Sequence, residues 1–127
     1  MERITKKEYY LGIAKAVAQR SPCLSKNYGA IIVKNDSVIS TGYNGPARGI
    51  PHCIICARKE ANKTHKSDYD ESCPAVHAEE NAIINAAREG ISTVGSTLYL
   101  WGKVPSEPCY RCRRAIINAG IKEVIIE

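Results

Sequence analysis

No stretch of this 127-residue chain approaches the roughly 20 consecutive apolar residues that a helix needs to cross a bilayer, so it lacks a candidate membrane span. A secretory leader is also missing: charges and tyrosines interrupt the apolar positions from Met1 to Ala18, where a leader has an unbroken apolar segment. There are no internal repeats, linkers or low-complexity segments. Nor is there a large excess of either charge: 18 basic against 13 acidic residues leave +5, spread along the chain. That balance suits a phosphate-bearing small substrate as well as nucleic acid and does not choose between them. These absences point to a soluble, cytoplasmic protein with no membrane partner.

An apolar fraction of 44% with 24% charged residues sits near the globular average and argues against disorder, collagen-like repeats and coiled coil. The length suits one domain spanning 1–127, with enough core to fold without disulfides. Six cysteines then need another explanation. In a chain without a leader, metal binding or catalysis explains them better than disulfides, because cytosolic thiols are kept reduced.

Thr5 and Glu8 form a capping-box pattern, followed by Tyr10, Ile13, Ala14, Val17 and Ala18 at helical spacing; Pro22 ends that helix. Ala30–Val33 and Val38–Tyr43, separated by Lys34-Asn35-Asp36-Ser37, read as a hairpin. Periodicity then vanishes over the cysteine-rich loop 44–76, a length that is uncommon unless something functional or metallic orders it. A helix is expected over His77–Arg88 with Ala82, Ile83, Ala86 and Ala87 inward. Further along come a strand over Thr97–Trp101, a helix over Cys109–Asn118 and a strand over Glu123–Ile126. Strand, helix and strand in that order imply a crossover and parallel pairing, hence an α/β layered fold.

The sharpest chemistry is His77-Ala78-Glu79 at one expected helix start and Pro108-Cys109-Tyr110-Arg111-Cys112 at another. A Cys-x-x-Cys pair alone is commonly a structural clip or a redox pair, and a lone His is commonly just a histidine. Together they differ, because both fall where helix N-H groups and the positive dipole end favour thiolate. One imidazole and two thiolates give zinc three protein ligands and leave its fourth position open to water, the pattern of a catalytic site. Glu79, on the first turn, can lean toward that position and shuttle protons without binding the metal.

His-x-Glu with Pro-Cys-x-x-Cys is a signature of zinc nucleobase deaminases. Ala18-Gln19-Arg20-Ser21-Pro22-Cys23, Gly29-Ala30-Ile31-Ile32-Val33, Ser40-Thr41-Gly42-Tyr43-Asn44-Gly45, Gly49-Ile50-Pro51-His52-Cys53, Cys73-Pro74-Ala75-Val76-His77-Ala78-Glu79 and Ile116-Ile117-Asn118-Ala119-Gly120-Ile121 resemble the deoxycytidylate (dCMP) deaminase family along nearly the whole chain. The resemblance implies a three-layer fold with a mixed sheet of four to five strands flanked by helices. It also implies hydrolysis of dCMP to dUMP and ammonia, Glu79 as proton shuttle, and His77, Cys109 and Cys112 on a catalytic zinc. Asn44 matches a sugar-holding position. Ala78, Lys26 and Arg48 are further substrate-binding candidates, the last two for phosphate.

Cys23, Cys53, Cys56 and Cys73 remain, enough to close a second, structural zinc site, with His52 or His65 as substitutes for one thiol. The family is typically multimeric, often hexameric, and answers to nucleoside triphosphates. This chain departs from it in Lys26 for arginine, in Tyr28 for valine and in 102–107, and it stops after the fourth strand, so a partner subunit is expected over the open sheet edge. Competing readings are a free-nucleoside deaminase, another cytosine-nucleotide deaminase, a tRNA adenosine deaminase, and a zinc-stabilised nucleic-acid-binding module; the last leaves Glu79 without a role.

Overall fold

The computed structural model describes residues 2–60, 73–102 and 108–127; His65 and 103–107 lie outside the described residues. The elements run α1 (Lys6–Ala18), β1 (Gly29–Lys34), β2 (Ser37–Tyr43), β3 (Gly45–Pro46), α2 (Ala57–Glu60), β4 (Ala75–Val76), α3 (Ala78–Arg88), β5 (Thr97–Trp101), α4 (Tyr110–Asn118) and β6 (Glu123–Ile126). One mixed sheet has the order β2-β1-β5-β6, with β1 antiparallel to β2 and β5, and β5 parallel to β6 across the α4 crossover. β3 and β4 pair separately. Among its described residues, the loop read as aperiodic therefore contains two short strands and one helical turn, each too brief for periodicity to reveal.

Alternation along the central strands divides the core in two. Ile31 and Val33 of β1 and Tyr99 of β5 face Tyr10, Leu11 and Ala14 of α1. Ala30, Ile32, Leu98 and Leu100 face Ala78 and Ala82 of α3 and Ile116 of α4. The result is three layers, with α1 on one side of the sheet and α3 and α4 on the other. β1 is buried on both faces, which is why it reads as an unbroken apolar run. Each fully buried Ile or Leu here contributes about 1.5 to 3 kcal/mol. No helix among the described residues is long and apolar enough to cross a membrane.

α1 starts as its sequence signals: Thr5 Oγ1 accepts from the Glu8 N-H at 3.1 Å, and the Glu8 carboxylate accepts from the Thr5 N-H at 3.4 Å. α3 begins one residue later than expected, with His77 as its N-cap. Ala82 and Ala86 are buried and Ile83 half-buried, but Ala87 is exposed, because five residues past Ala82 the helix has turned well off the core-facing stripe. The glycine that matters most is Gly42. A Cβ there would strike the Ala82 nitrogen and the Ala78 carbonyl, so β2 and α3 touch backbone to backbone. Asn81 and Asn85, one turn apart on α3, donate to the Tyr43 and Thr41 carbonyls of β2 at 2.8 and 2.7 Å. β6 forms the other edge of the sheet.

The hairpin turn puts Asn35 and Asp36 at φ 52° and 58°, the left-handed region that two-residue hairpin turns need and that Asn and Asp tolerate. Asp36 accepts from Lys6 Nζ at 2.8 Å and from the Tyr10 hydroxyl at 2.6 Å, tying the turn to α1. Lys6 first and Tyr10 second hold the Asp36 carboxyl below its ordinary value; the same hydrogen bond, with burial, pushes Tyr10 up to about 12.

Gly42→Ala is expected to force β2 and α3 apart and cost about 1 to 3 kcal/mol, read as a lower urea midpoint. Asp36→Asn preserves the turn and removes the charge. Because the folded carboxyl titrates below its unfolded value, its stabilisation is full above the ordinary carboxylate range and is lost as pH falls through the folded pKa. The midpoint gap between the parent and Asp36→Asn should be present near neutral pH and close in strong acid.

Candidate metal and active site

His77 and Cys109 are the N-caps of α3 and α4, so both donor side chains sit where unpaired helix N-H groups and the positive dipole end converge. His77 Nδ1 lies 3.2 Å from Cys112 Sγ and 3.4 Å from Cys109 Sγ. All three ligand atoms fall within 4.8 Å of one another, the one such group of His, Cys, Asp or Glu among the described residues. Zinc bonds of roughly 2.0 Å to nitrogen and 2.3 Å to sulfur put N and S roughly 3.5 Å apart on a tetrahedral edge. The observed spacings are within a few tenths of that, and one imidazole with two thiols is a zinc donor set. The residues present fit the ion.

The three side chains and the neighbouring carboxylates shift one another's protonation. A hydrogen bond from the Cys112 thiol, seconded by His77 and outweighing burial, brings the Cys109 pKa down to about 3. Cys112, which provides that proton and is buried, is pushed far up. Burial disfavours the His77 imidazolium, but the hydrogen bond and charge of Cys109, with Glu79 and Glu80, hold its pKa above the ordinary value. Binding of a metal through two thiolates and a neutral imidazole would release protons. Glu79 is 6% exposed; burial raises its carboxyl pKa, with Cys109 and Glu80 adding to the effect and its own backbone N-H and His77 opposing it.

Of the expected substrate contacts, Asn44 is buried and already engaged. Its Oδ1 accepts from the Tyr28 N-H at 2.8 Å and its Nδ2 donates to the Lys26 carbonyl at 2.9 Å. An amide has two donor hydrogens and two acceptor lone pairs, so one of each is left. Ala78 is wholly buried under the Gly42 contact. Lys26 is exposed. Arg48 is exposed and donates to Asn85 Oδ1 at 2.8 Å, two turns along α3 from His77.

Cys23, Cys53, Cys56 and Cys73 line one small cavity of about 30 Å³, with the β3–β4 pair bringing the loop ends together beside His77. None is in a disulfide. Among the described residues, no three of their sulfurs converge as the His77 cluster does. His52 is exposed and is not among the residues lining that cavity.

Sequence reasoning missed Glu80 and Arg111. Glu80 Oε1 accepts from the His77 N-H at 3.0 Å, and the carboxylate pairs with Arg111 at 3.2 Å. The acidic residue three past an N-cap was a visible signal; its partner on α4 was not.

The chain matches the cytidine and deoxycytidylate deaminase zinc-binding region over residues 4–127. It belongs to that family. A deoxycytidylate deaminase of Mycobacterium phage D29 is 43% identical over 122 residues, covering 93% of this chain and 91% of the relative. A crystal structure of dCMP deaminase from cyanophage S-TIM5 aligns with TM-score 0.76 at 30% identity, covering 99% of this chain and 85% of that one; a second structure of that enzyme holds dCMP and dUMP. A cytidine deaminase from Burkholderia pseudomallei, at 21% identity and TM-score 0.60 over 92% of this chain and 78% of that one, shares the fold. The expected cytidine-deaminase-like α/β fold is therefore borne out, with four strands in the main sheet.

After chelation of metal, iodoacetamide at mildly acidic pH is expected to modify Cys109 ahead of Cys112, read by peptide mass spectrometry, and restored zinc should protect both. Labelling of Cys112 first would contradict the proton arrangement.

Proposed function

We propose that this protein hydrolyses dCMP to dUMP and ammonia, with His77, Cys109 and Cys112 holding one zinc and Glu79 moving the protons. The observation that carries the reading is the convergence of those three ligand atoms within 4.8 Å beside a buried carboxylate two residues from the imidazole. The names of the D29 and S-TIM5 proteins support the substrate. Zinc, when bound, supplies the acidification that makes hydroxide available from water near neutral pH.

The chain's own groups do the rest. Glu79 takes the proton released by the attacking water and delivers it to N3 of the cytosine ring as oxygen adds at C4. Glu79 then takes the remaining proton from the new C4 hydroxyl and passes it to the exocyclic amine, so the C4–N bond breaks and ammonia leaves as the C4 carbonyl forms. Burial keeps this carboxyl out of competing water and raises its affinity for the proton it must carry. The uncommitted donor and acceptor of Asn44 suit a sugar hydroxyl. Lys26 is the phosphate candidate that needs no rearrangement, whereas Arg48 would have to leave Asn85.

The same reading makes 1–127 one deaminase domain and extends to a cytoplasmic homo-oligomer, of the six-subunit kind, that answers to nucleoside triphosphates. It also assigns a second, structural zinc to Cys23, Cys53, Cys56 and Cys73. The support is their shared cavity, with room for roughly one water-sized occupant.

Glu79→Gln is expected to lose at least the roughly 10²- to 10⁴-fold that general acid–base catalysis supplies while retaining zinc. Ammonia release from dCMP, CMP, deoxycytidine, cytidine and a tRNA anticodon stem should favour dCMP; equal rates for deoxycytidine and dCMP would return the protein to the nucleoside class. Elemental analysis of the active protein should give two zinc ions per chain, and a fully active preparation with one would remove the second site.

A further inference from the structure

We propose that Glu80 and Arg111 are a positioning pair that sets the geometry of the His77, Cys109 and Cys112 site, an inference that rests on reading that cluster as a zinc site. The ligands come from the starts of two separate helices, and tetrahedral binding requires their mutual placement to hold within a few tenths of an ångström. Glu80 reaches both helices. Its Oε1 accepts from the backbone N-H of His77 at 3.0 Å and from Arg111 Nη2 at 3.3 Å, and its Oε2 faces Arg111 Nε at 3.2 Å. Arg111 stands between the two thiols in the chain, on the first turn of α4. One carboxylate thus links the backbone of the imidazole-bearing residue to the side chain that lies between the sulfur-bearing ones.

The pair is poorly suited to a role in global stability. The Arg111 side chain is 54% and the Glu80 side chain 22% exposed, and exposed ion pairs add little to folding. Its directional value is larger. A guanidinium meeting a carboxylate through two nitrogens fixes orientation as well as distance, so α4 cannot turn or slide against α3 without breaking it. Lysine at 111 would keep the charge and lose the fork. Glutamine at 80 would keep an acceptor for His77 and lose the paired charge.

The test uses the full chain as parent, Glu80→Ala, Glu80→Gln, Arg111→Ala, Arg111→Lys and the Glu80→Ala/Arg111→Ala double variant. The readouts are the rate of zinc loss to a chromogenic chelator, the visible spectrum of the cobalt(II)-substituted protein, and the thermal midpoint without metal. Residues that orient metal ligands typically matter roughly 10- to 100-fold to metal affinity. Zinc loss is expected to accelerate by about that factor in Glu80→Ala and Arg111→Ala, with altered cobalt bands and unchanged metal-free midpoints. Arg111→Lys should not rescue, Glu80→Gln should fall between, and the double variant should be no worse than the worse single one, because the pair acts as a unit. Zinc-loss rates within about twofold of the parent with an unchanged cobalt spectrum, or fully additive single effects, would overturn the proposal. If Glu80→Ala fails to fold, Glu80→Gln and the Arg111 variants decide. A parent that holds no zinc at all would instead defeat the site itself.

Discussion

Everything around the site depends on holding two helix N-termini against one another. An imidazole and two sulfurs within 4.8 Å would be a poor arrangement on a mobile scaffold, because each group is a hydrogen-bonding or ionisable one withdrawn from water. Here α3 is seated on β2 by backbone contact at Gly42 and by two asparagines that bond to strand carbonyls. α4 is seated by the crossover between two parallel strands. The donors are thus presented by rigid elements, and the positive ends of both helices face the negative charge the thiols acquire.

The side of the sheet away from the site is built differently. α1 lies close enough to β1 that a Cβ at Gly29 would meet the Ala14 carbonyl and the Ala18 nitrogen, and the Asp36 turn is pinned to its first two turns. That face supplies apolar burial without chemistry. The central strands, covered on both faces, form a platform whose other side can accommodate a buried carboxyl and an imidazole.

The cysteine-rich segment occupies a middle position between scaffold and site. Its ends are closed by the short β3–β4 ladder, and its thiols share a cavity wall with Cys23 without the convergence seen at His77. The difference fits their surroundings: the His77 cluster is held by two helices, whereas Cys53, Cys56 and Cys73 lie in irregular backbone between the loop's short elements.

Much of this was legible in the chain. The capping box at Thr5, the hairpin turn, the β5 and β6 boundaries and both ligand-bearing helix starts follow from local rules acting over a few residues. So did the choice of His77, Cys109 and Cys112 as candidate donors, because a histidine and a Cys-x-x-Cys pair carry their chemistry wherever they lie, and the structure brings the three together. Three-dimensional placement decided what those rules cannot reach. Ala87 is turned to solvent by helix geometry, Asn44 is claimed by the backbone of Lys26 and Tyr28, and Arg48 is drawn to Asn85. The link between Glu80 and Arg111 spans 31 residues of sequence and leaves no periodic trace. Local propensity and ligand spacing depend on near neighbours and can be read from order alone; partners chosen by packing exist only once the sheet and helices have brought distant side chains within hydrogen-bond range.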